Sequence, residues 1–180
     1  MKQAEDVLRF WFEEIDPALW WKKDADFDEQ LRERFATLHR QVARCEMPHW
    51  RTDPHARLAE IMVLDQFSRH LYRDQPDAFA WDGQALVLAQ EAVRDGADRH
   101  LTDDQRGFLY LPYMHSESLL IHEQAEALYR ELGNEENLRF ELAHQAIIRR
   151  FGRYPHRNAA LGRTSTAEEL AFLREPNSSF

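Results

Sequence analysis

The stretch RRFGRYPHRN, residues 149–158, gathers four arginines and one histidine in a chain whose net charge is −9. Between Glu141 and Glu168 the sequence carries no acid, yet Arg149, Arg150, Arg153, Arg157 and Arg163 all fall there. Arg149 and Arg150 suit the last turn of a helix, where cations favour the dipole. Arg153 to Asn158 is different: the chain turns at Gly152, extends at Tyr154 and enters a short helix at Pro155. A helix start attracts anions, so His156, Arg157 and Asn158 in its first turn ask for a compensating negative charge. That charge is either a protein carboxylate such as Asp65 or a bound phosphate or carboxylate.

Two further groups carry polarity where it is costly. Wound as a helix, IMVLDQFSRHLY (residues 61–72) puts Ile61, Leu64, Phe67 and Leu71 on its deep face. Asp65 and Arg69, four apart, land among apolar neighbours, and Gln66, His70 and Arg73 form a clean polar strip. The Asp65–Arg69 pair is then either a structural ion pair or the lining of a cleft. The segment GFLYLPYMHSESLLIHE (residues 107–123) is apolar nearly all round, with Pro112 kinking it and Gly107 allowing close approach. His115, Ser118 and His122 share one face beyond the kink. They are either core groups satisfied by carbonyls and carboxylates or a pocket lining, with His115 the acid–base candidate. The aromatic cluster Phe10, Trp11, Phe12, Trp20 and Trp21 closes the edge of a core or stacks on a ligand.

The elements that position these residues are helices. Phe27, Leu31, Phe35, Leu38 and Val42 form one stripe after an Asp24 cap, giving a helix over about 25–45. Others are expected over 55–73, 77–96 and 102–132, the last opened by a Thr102–Gln105 capping box and closed by Gly133. NEENLRFELAHQAIIRRFG makes the next, Pro155 to Gly162 a short one, and Thr166 with Glu169 caps a final turn. The expectation is one all-α domain, 1–180, of six to eight helices.

Composition sets bounds. The chain is 43% hydrophobic and 31% charged, ordinary for a soluble globular protein. No apolar run approaches the ~20 residues of a membrane span, and the start lacks a signal-peptide pattern; a cytoplasmic location is expected. The acidic balance disfavours general nucleic-acid binding. Cys45, the single cysteine, excludes an internal disulfide. No glycine-rich phosphate loop or serine nucleophile elbow exists. HEQAE (122–126) lacks the second histidine of a zinc protease helix, and ELAH (141–144) is a lone Glu-x-x-His. His115, His122 and His144 are a minor metal alternative; no metal site and no cofactor is assigned.

VLRFWFEE, WWKKDADFDEQLRERF, LDQFSRHLYR, FLYLPYMHSE, IIRRFGRYPHRNAALGR and STAEELAFLREPNSSF together resemble a mainly bacterial family catalogued as domain of unknown function 924. The resemblance spans essentially the whole chain. It implies an all-helical, tetratricopeptide-like array of helical hairpins and no established reaction. Where this chain has Ser68 and His70, the family pattern more typically has proline and asparagine. Pattern and polarity together mark Asp65, Arg69, Tyr113, His115 and Glu117, then Arg150, Arg153, His156, Arg157 and Asn158, as candidate ligand-binding residues. Three functions compete: a pocket for a small anionic molecule with acid–base chemistry, a helical-repeat surface for an acidic or phosphorylated peptide, or a polar core satisfied within itself.

Overall fold

Asp24 accepts a hydrogen bond from the Phe27 N–H at 3.1 Å and opens α2 (Ala25–Ala43), whose buried stripe is the Phe27, Leu31, Phe35, Leu38, Val42 set read from the spacing. The structure is a computed structural model and describes every residue except Asn177 and Phe180. Ahead of α2, α1 (Lys2–Arg9) runs into a π-helical turn, Phe10–Glu14, that buries Phe10 and Trp11 completely. After it, Asp53 caps α3 (Pro54–Met62), with Pro54 at the first helical position. A π turn, Val63–Phe67, joins α3 to α4 (Ser68–Leu71) in one continuous helix.

The remaining helices are α5 (Asp82–Arg94), α6 (Asp103–Met114), α7 (Leu119–Leu132), α8 (Glu135–Phe151) and α9 (Ala167–Phe172). Both expected capping boxes are present, Thr102 with Gln105 and Thr166 with Glu169. Gly96, Gly133, Gly152 and Gly162 stand at φ between +65° and +77° where the sequence placed stops. Counting α3–α4 once, eight helices are described, and no strand occurs among the described residues. No helix there is long and apolar enough to cross a membrane.

Consecutive helices from α5 to α8 pack each on the next, while α1 and α5 flank α3 and α2 covers α4. The α6–α7 pair is antiparallel: Tyr129, late in α7, donates to the Gly107 carbonyl, early in α6, at 3.1 Å. Gly107 leaves room for the Asn137 side chain of α8, whose amide nitrogen would lie 2.8 Å from an added Cβ and would have to move aside. One large core runs from α1 to α7, and a small second cluster of Ile147, Ile148, Tyr154 and Phe172 joins α8 to the C-terminal segment.

Three expectations are corrected. The strip of Gln66, His70 and Arg73 is not exposed: Gln66 and His70 are buried, and residues 58–68 are buried on every side. The reason is α2, whose Asp28 takes His70 Nδ1 at 2.8 Å and both nitrogens of the Arg73 fork at 2.6 and 2.7 Å. The helix expected over 102–132 is broken, not merely kinked, at residues 115–118, so His115, Ser118 and His122 do not share a helix face. Pro112 stays inside α6, and the break falls one turn later. Finally, Pro155 opens only a three-residue 3₁₀ turn, Pro155–Arg157, too short to present a helix N-terminus.

Candidate functional site

Asp65 lies in the π turn, where one extra residue per turn shifts the side chains that follow, an arrangement that recurs at functional sites. The carboxylate is buried. Its Oδ1 accepts from His115 Nδ1 at 2.6 Å and lies 3.2 Å from Arg69 Nη1, and its Oδ2 accepts from the Gln66 amide at 2.6 Å. Burial alone would push the Asp65 pKa up, but the Arg69 charge and His115 outweigh it and hold the carboxyl ionised well below the usual range. Arg69 then reaches α5, where it grips Asp82 with two parallel hydrogen bonds of 2.9 and 3.0 Å. Its own pKa is raised: Asp65 and Asp82 more than offset burial.

An ionised carboxylate only accepts, so the proton on the His115–Asp65 bond belongs to Nδ1 and the lone pair of the neutral ring is on Nε2. Burial, then the Arg69 charge, lowers the His115 pKa against the opposing pull of Asp65. The result is a carboxylate-oriented, neutral imidazole, the arrangement of a general base. The His115 side chain is 13% exposed and Arg69 20%, so the pair meets solvent at one edge.

The arginine-rich loop comes to this pair through Arg157. Its Nη2 donates to the His115 carbonyl at 2.9 Å and its Nη1 lies 3.3 Å from Asp82 Oδ2. The guanidinium carbon lies over the rings of Phe79 and Tyr154 at 4.7 and 4.6 Å. Nε of Arg157 is buried without a hydrogen-bond partner. Burial lowers the Arg157 pKa, Asp82 opposing and Arg69 adding to the fall. The cation thus sits at the C-terminus of α6, the end of the helix dipole that favours it, rather than at the start of a helix as the sequence reading had it.

The break after α6 is held residue by residue. Tyr154 O–H donates to the Met114 carbonyl at 2.5 Å, Arg157 takes His115, and His122 Nε2 lies 2.8 Å from the Ser116 carbonyl. Glu117 accepts the Tyr154 N–H at 2.8 Å and a bidentate pair from Arg163 at 2.7 and 2.9 Å. Burial would raise the Glu117 pKa, and Arg163 with the Tyr154 amide brings it below the ordinary value. The Tyr154 and Arg157 bonds satisfy carbonyls that the C-terminus of α6 leaves open.

Of the residues marked by the sequence, Asp65, Arg69, His115 and Arg157 are brought together. His156 stands beside them, its ring 5.5 Å from Tyr154, and burial followed by the Arg157 and Arg69 charges lowers its pKa to about 3. Glu117 and Asn158 tie the loop: Asn158 accepts from Arg163 Nε at 2.9 Å and donates to Ser165 at 3.0 Å. Arg153 is held by Glu169 through bonds of 2.7 and 2.8 Å, and Arg150 meets Glu168 at 2.9 Å. Tyr113 is buried, and burial, then the Asp98 charge, raises its pKa to about 12.

Asp82, Phe79, Tyr154, Glu141 and Arg163 are not among the candidate binding residues marked from the sequence, although Tyr154 and Arg163 belong to the arginine-rich stretch read there. Asp82 lies inside the helix expected over 77–96 with nothing local to mark it, and Glu141 stands out only within the incomplete Glu-x-x-His of ELAH. Among the described residues, no group of three or more His, Cys, Asp or Glu side chains is placed to hold a metal ion.

This architecture is similar to a solved protein of unknown function from Agrobacterium tumefaciens, with a TM-score of 0.91 and 36% identity over 96% of this chain and 97% of that one. No curated protein matches the sequence. The family model described as "Bacterial protein of unknown function (DUF924)" matches residues 7–177. The chain belongs to that bacterial family.

Proposed function

We propose that the protein binds a small molecule bearing a phosphate or carboxylate beside His115, and that the Asp65–His115 pair moves a proton on it. The observation that carries this reading is the 2.6 Å hydrogen bond from His115 Nδ1 to a buried, ionised Asp65. That bond fixes the ring's tautomer and leaves Nε2 as the basic nitrogen. Arg157 supplies the anion contact. Of the two arginines in the cluster it is the less fully committed, with one carbonyl bond, a long contact to Asp82 and a buried Nε still open. A planar guanidinium with spare donors suits a carboxylate or phosphate edge.

The charges Asp65, Asp82, Arg69 and Arg157 balance in the resting state. An anion is therefore received by exchange, taking Arg157 from Asp82 while Arg69 retains both Asp82 oxygens. Its arrival beside His115 raises the affinity of Nε2 for a proton, which couples binding to proton transfer.

Thermal unfolding in the presence of inorganic phosphate, small monocarboxylates and small dicarboxylates tests the reading. A ligand that binds only the native state at about 100 times its Kd stabilises by about 2.7 kcal/mol. The expected result is a rise in Tm with at least one of these anions, absent from Arg157→Ala measured against its own baseline. A parent protein whose Tm no anion raises leaves the polar cluster a purely structural device.

A further inference from the structure

We infer that Tyr154 and His122, backed by Glu141, are positioning residues that set the direction of His115 by fixing the break between α6 and α7. The inference rests on the proposed role of the Asp65–His115 pair and adds to it residues that lie outside the anion contact. His115 caps the C-terminus of α6, its N–H still bonded to the Leu111 carbonyl at 2.9 Å, and no helix continues beyond it to hold the carbonyls that follow. The carbonyls on either side of it, Met114 and Ser116, are held by the Tyr154 hydroxyl at 2.5 Å and by His122 Nε2 at 2.8 Å.

The hydrogens follow from the acceptors. A carbonyl only accepts, so His122 carries its proton on Nε2. Tyr154 spends its own proton on Met114, so across the 3.1 Å contact with His122 its oxygen accepts from the same Nε2–H. His122 Nδ1 then faces Glu141 Oε1 at 2.7 Å. Both partners are completely buried, and burial raises the affinity of Glu141 for a proton against the opposing pull of His122. One proton between Nδ1 and Oε1 serves whichever side holds it, and the imidazole cannot rotate without leaving both Glu141 and Ser116 unbonded. Leaving such buried groups unmade costs about 1–3 kcal/mol each.

Tyr154 joins this post to the anion side. The same residue that fixes Met114 lies under the Arg157 guanidinium and gives its backbone N–H to Glu117. The groups that face His115 from the packed elements are Asp65 and Arg69 on α3–α4, Asp82 on α5, His144 on α8, and His156 and Arg157 in the loop. Tyr154→Phe removes only the hydroxyl and keeps the ring against Arg157, His144 and His156, so a change in His115 titration in that variant reports its placement.

The test follows the His115 ring by nuclear magnetic resonance as pH is varied, without ligand, in the parent, Tyr154→Phe, His122→Leu and His122→Gln. Glutamine keeps a donor near the position of Nε2, whereas leucine does not. The expected result is a His115 midpoint that rises toward the ordinary histidine range in Tyr154→Phe and His122→Leu, with the Nδ1–H signature of the Asp65 bond weakened. His122→Gln is expected to stay close to the parent. If His122→Leu does not fold, the isosteric Tyr154→Phe decides. A His115 midpoint and Nδ1–H signal unchanged in folded Tyr154→Phe overturns the inference, as does a glutamine variant that departs as far as leucine. Because no ligand is present, a parent that binds no anion removes the proposed function without touching this result.

Discussion

Asp65 concentrates the chemistry of the molecule in one carboxylate. It orients His115, contacts Arg69 and accepts from Gln66, all without exposure to water. Removing one partner of such a buried charge pair typically costs about 3–5 kcal/mol, so Asp65→Asn is expected to lose roughly 3 kcal/mol in denaturant unfolding. The sign of its pH dependence follows from the depressed pKa. An unfolded aspartate titrates near about 3.9; the folded one titrates lower, so the stabilisation is complete above that value and disappears as pH falls through the folded pKa. Asp65→Asn should therefore flatten the acid limb of stability below pH about 4, and an acid limb identical to that of the parent contradicts the assignment. Asp65 and Arg69 were legible because they are four apart on a helix that is otherwise apolar. Asp82 was not, since its partners lie 13 and 75 positions away and nothing local marks it. Cys45 has no part in the cluster and stands exposed.

Elements explain why those side chains converge. The π turn Val63–Phe67 places Asp65 inside, and Ser68 follows it with its hydroxyl donating to the Leu64 carbonyl at 2.6 Å while receiving His39 Nε2 at 2.8 Å. The break at residues 115–118 brings His115 onto Asp65, and the loop after α8 closes over the break. Helix positions and stops were readable from spacing, capping boxes and glycines, whereas the π turn and the break were not. The break depends on hydrogen bonds supplied from a distant segment, by Tyr154 and Arg157, which no local pattern encodes. Two histidines of this region are expected to govern acid sensitivity. Burial first lowers the His144 pKa to about 3, against its bond to the Phe140 carbonyl, and His156 reaches a similar value. Folded values below the unfolded value of about 6.5 mean stability is complete above that pH and declines as pH falls toward 3. Thermal unfolding across pH 7 to 4 should show a falling Tm that is shallower in His144→Gln, and equal slopes would contradict it. At the other end of the molecule, Asp24→Ala should cost about 1 kcal/mol through loss of the α2 cap, measured by urea unfolding.

Across the whole molecule, the arginine-rich segment of an acidic protein finds most of its negative partners within the fold. Glu117, Glu168, Glu169 and Asp82 take Arg163, Arg150, Arg153 and Arg157 in turn. The exposed Arg150–Glu168 pair is worth little, so Glu168→Ala should change stability by less than about 1 kcal/mol. The buried contacts of Arg157 are of another kind, because they join the C-terminal segment to the main core. The all-α class, and the family pattern that accompanies it, were readable along the full chain; the choice between protein and ligand as the partner of these cations was not, because it is made in three dimensions. Arg157 is where that choice stays chemically open, through its unpaired buried Nε. The most direct measurement is a titration of inorganic phosphate, and separately of a small dicarboxylate, into isotopically labelled protein while the His115 ring and Arg157 Nε–H resonances are observed. Saturable shifts of both signals with at least one anion, lost in Arg157→Ala, are predicted. Resonances that stay fixed under both anions, or shifts confined to exposed arginines such as Arg150, would contradict the account.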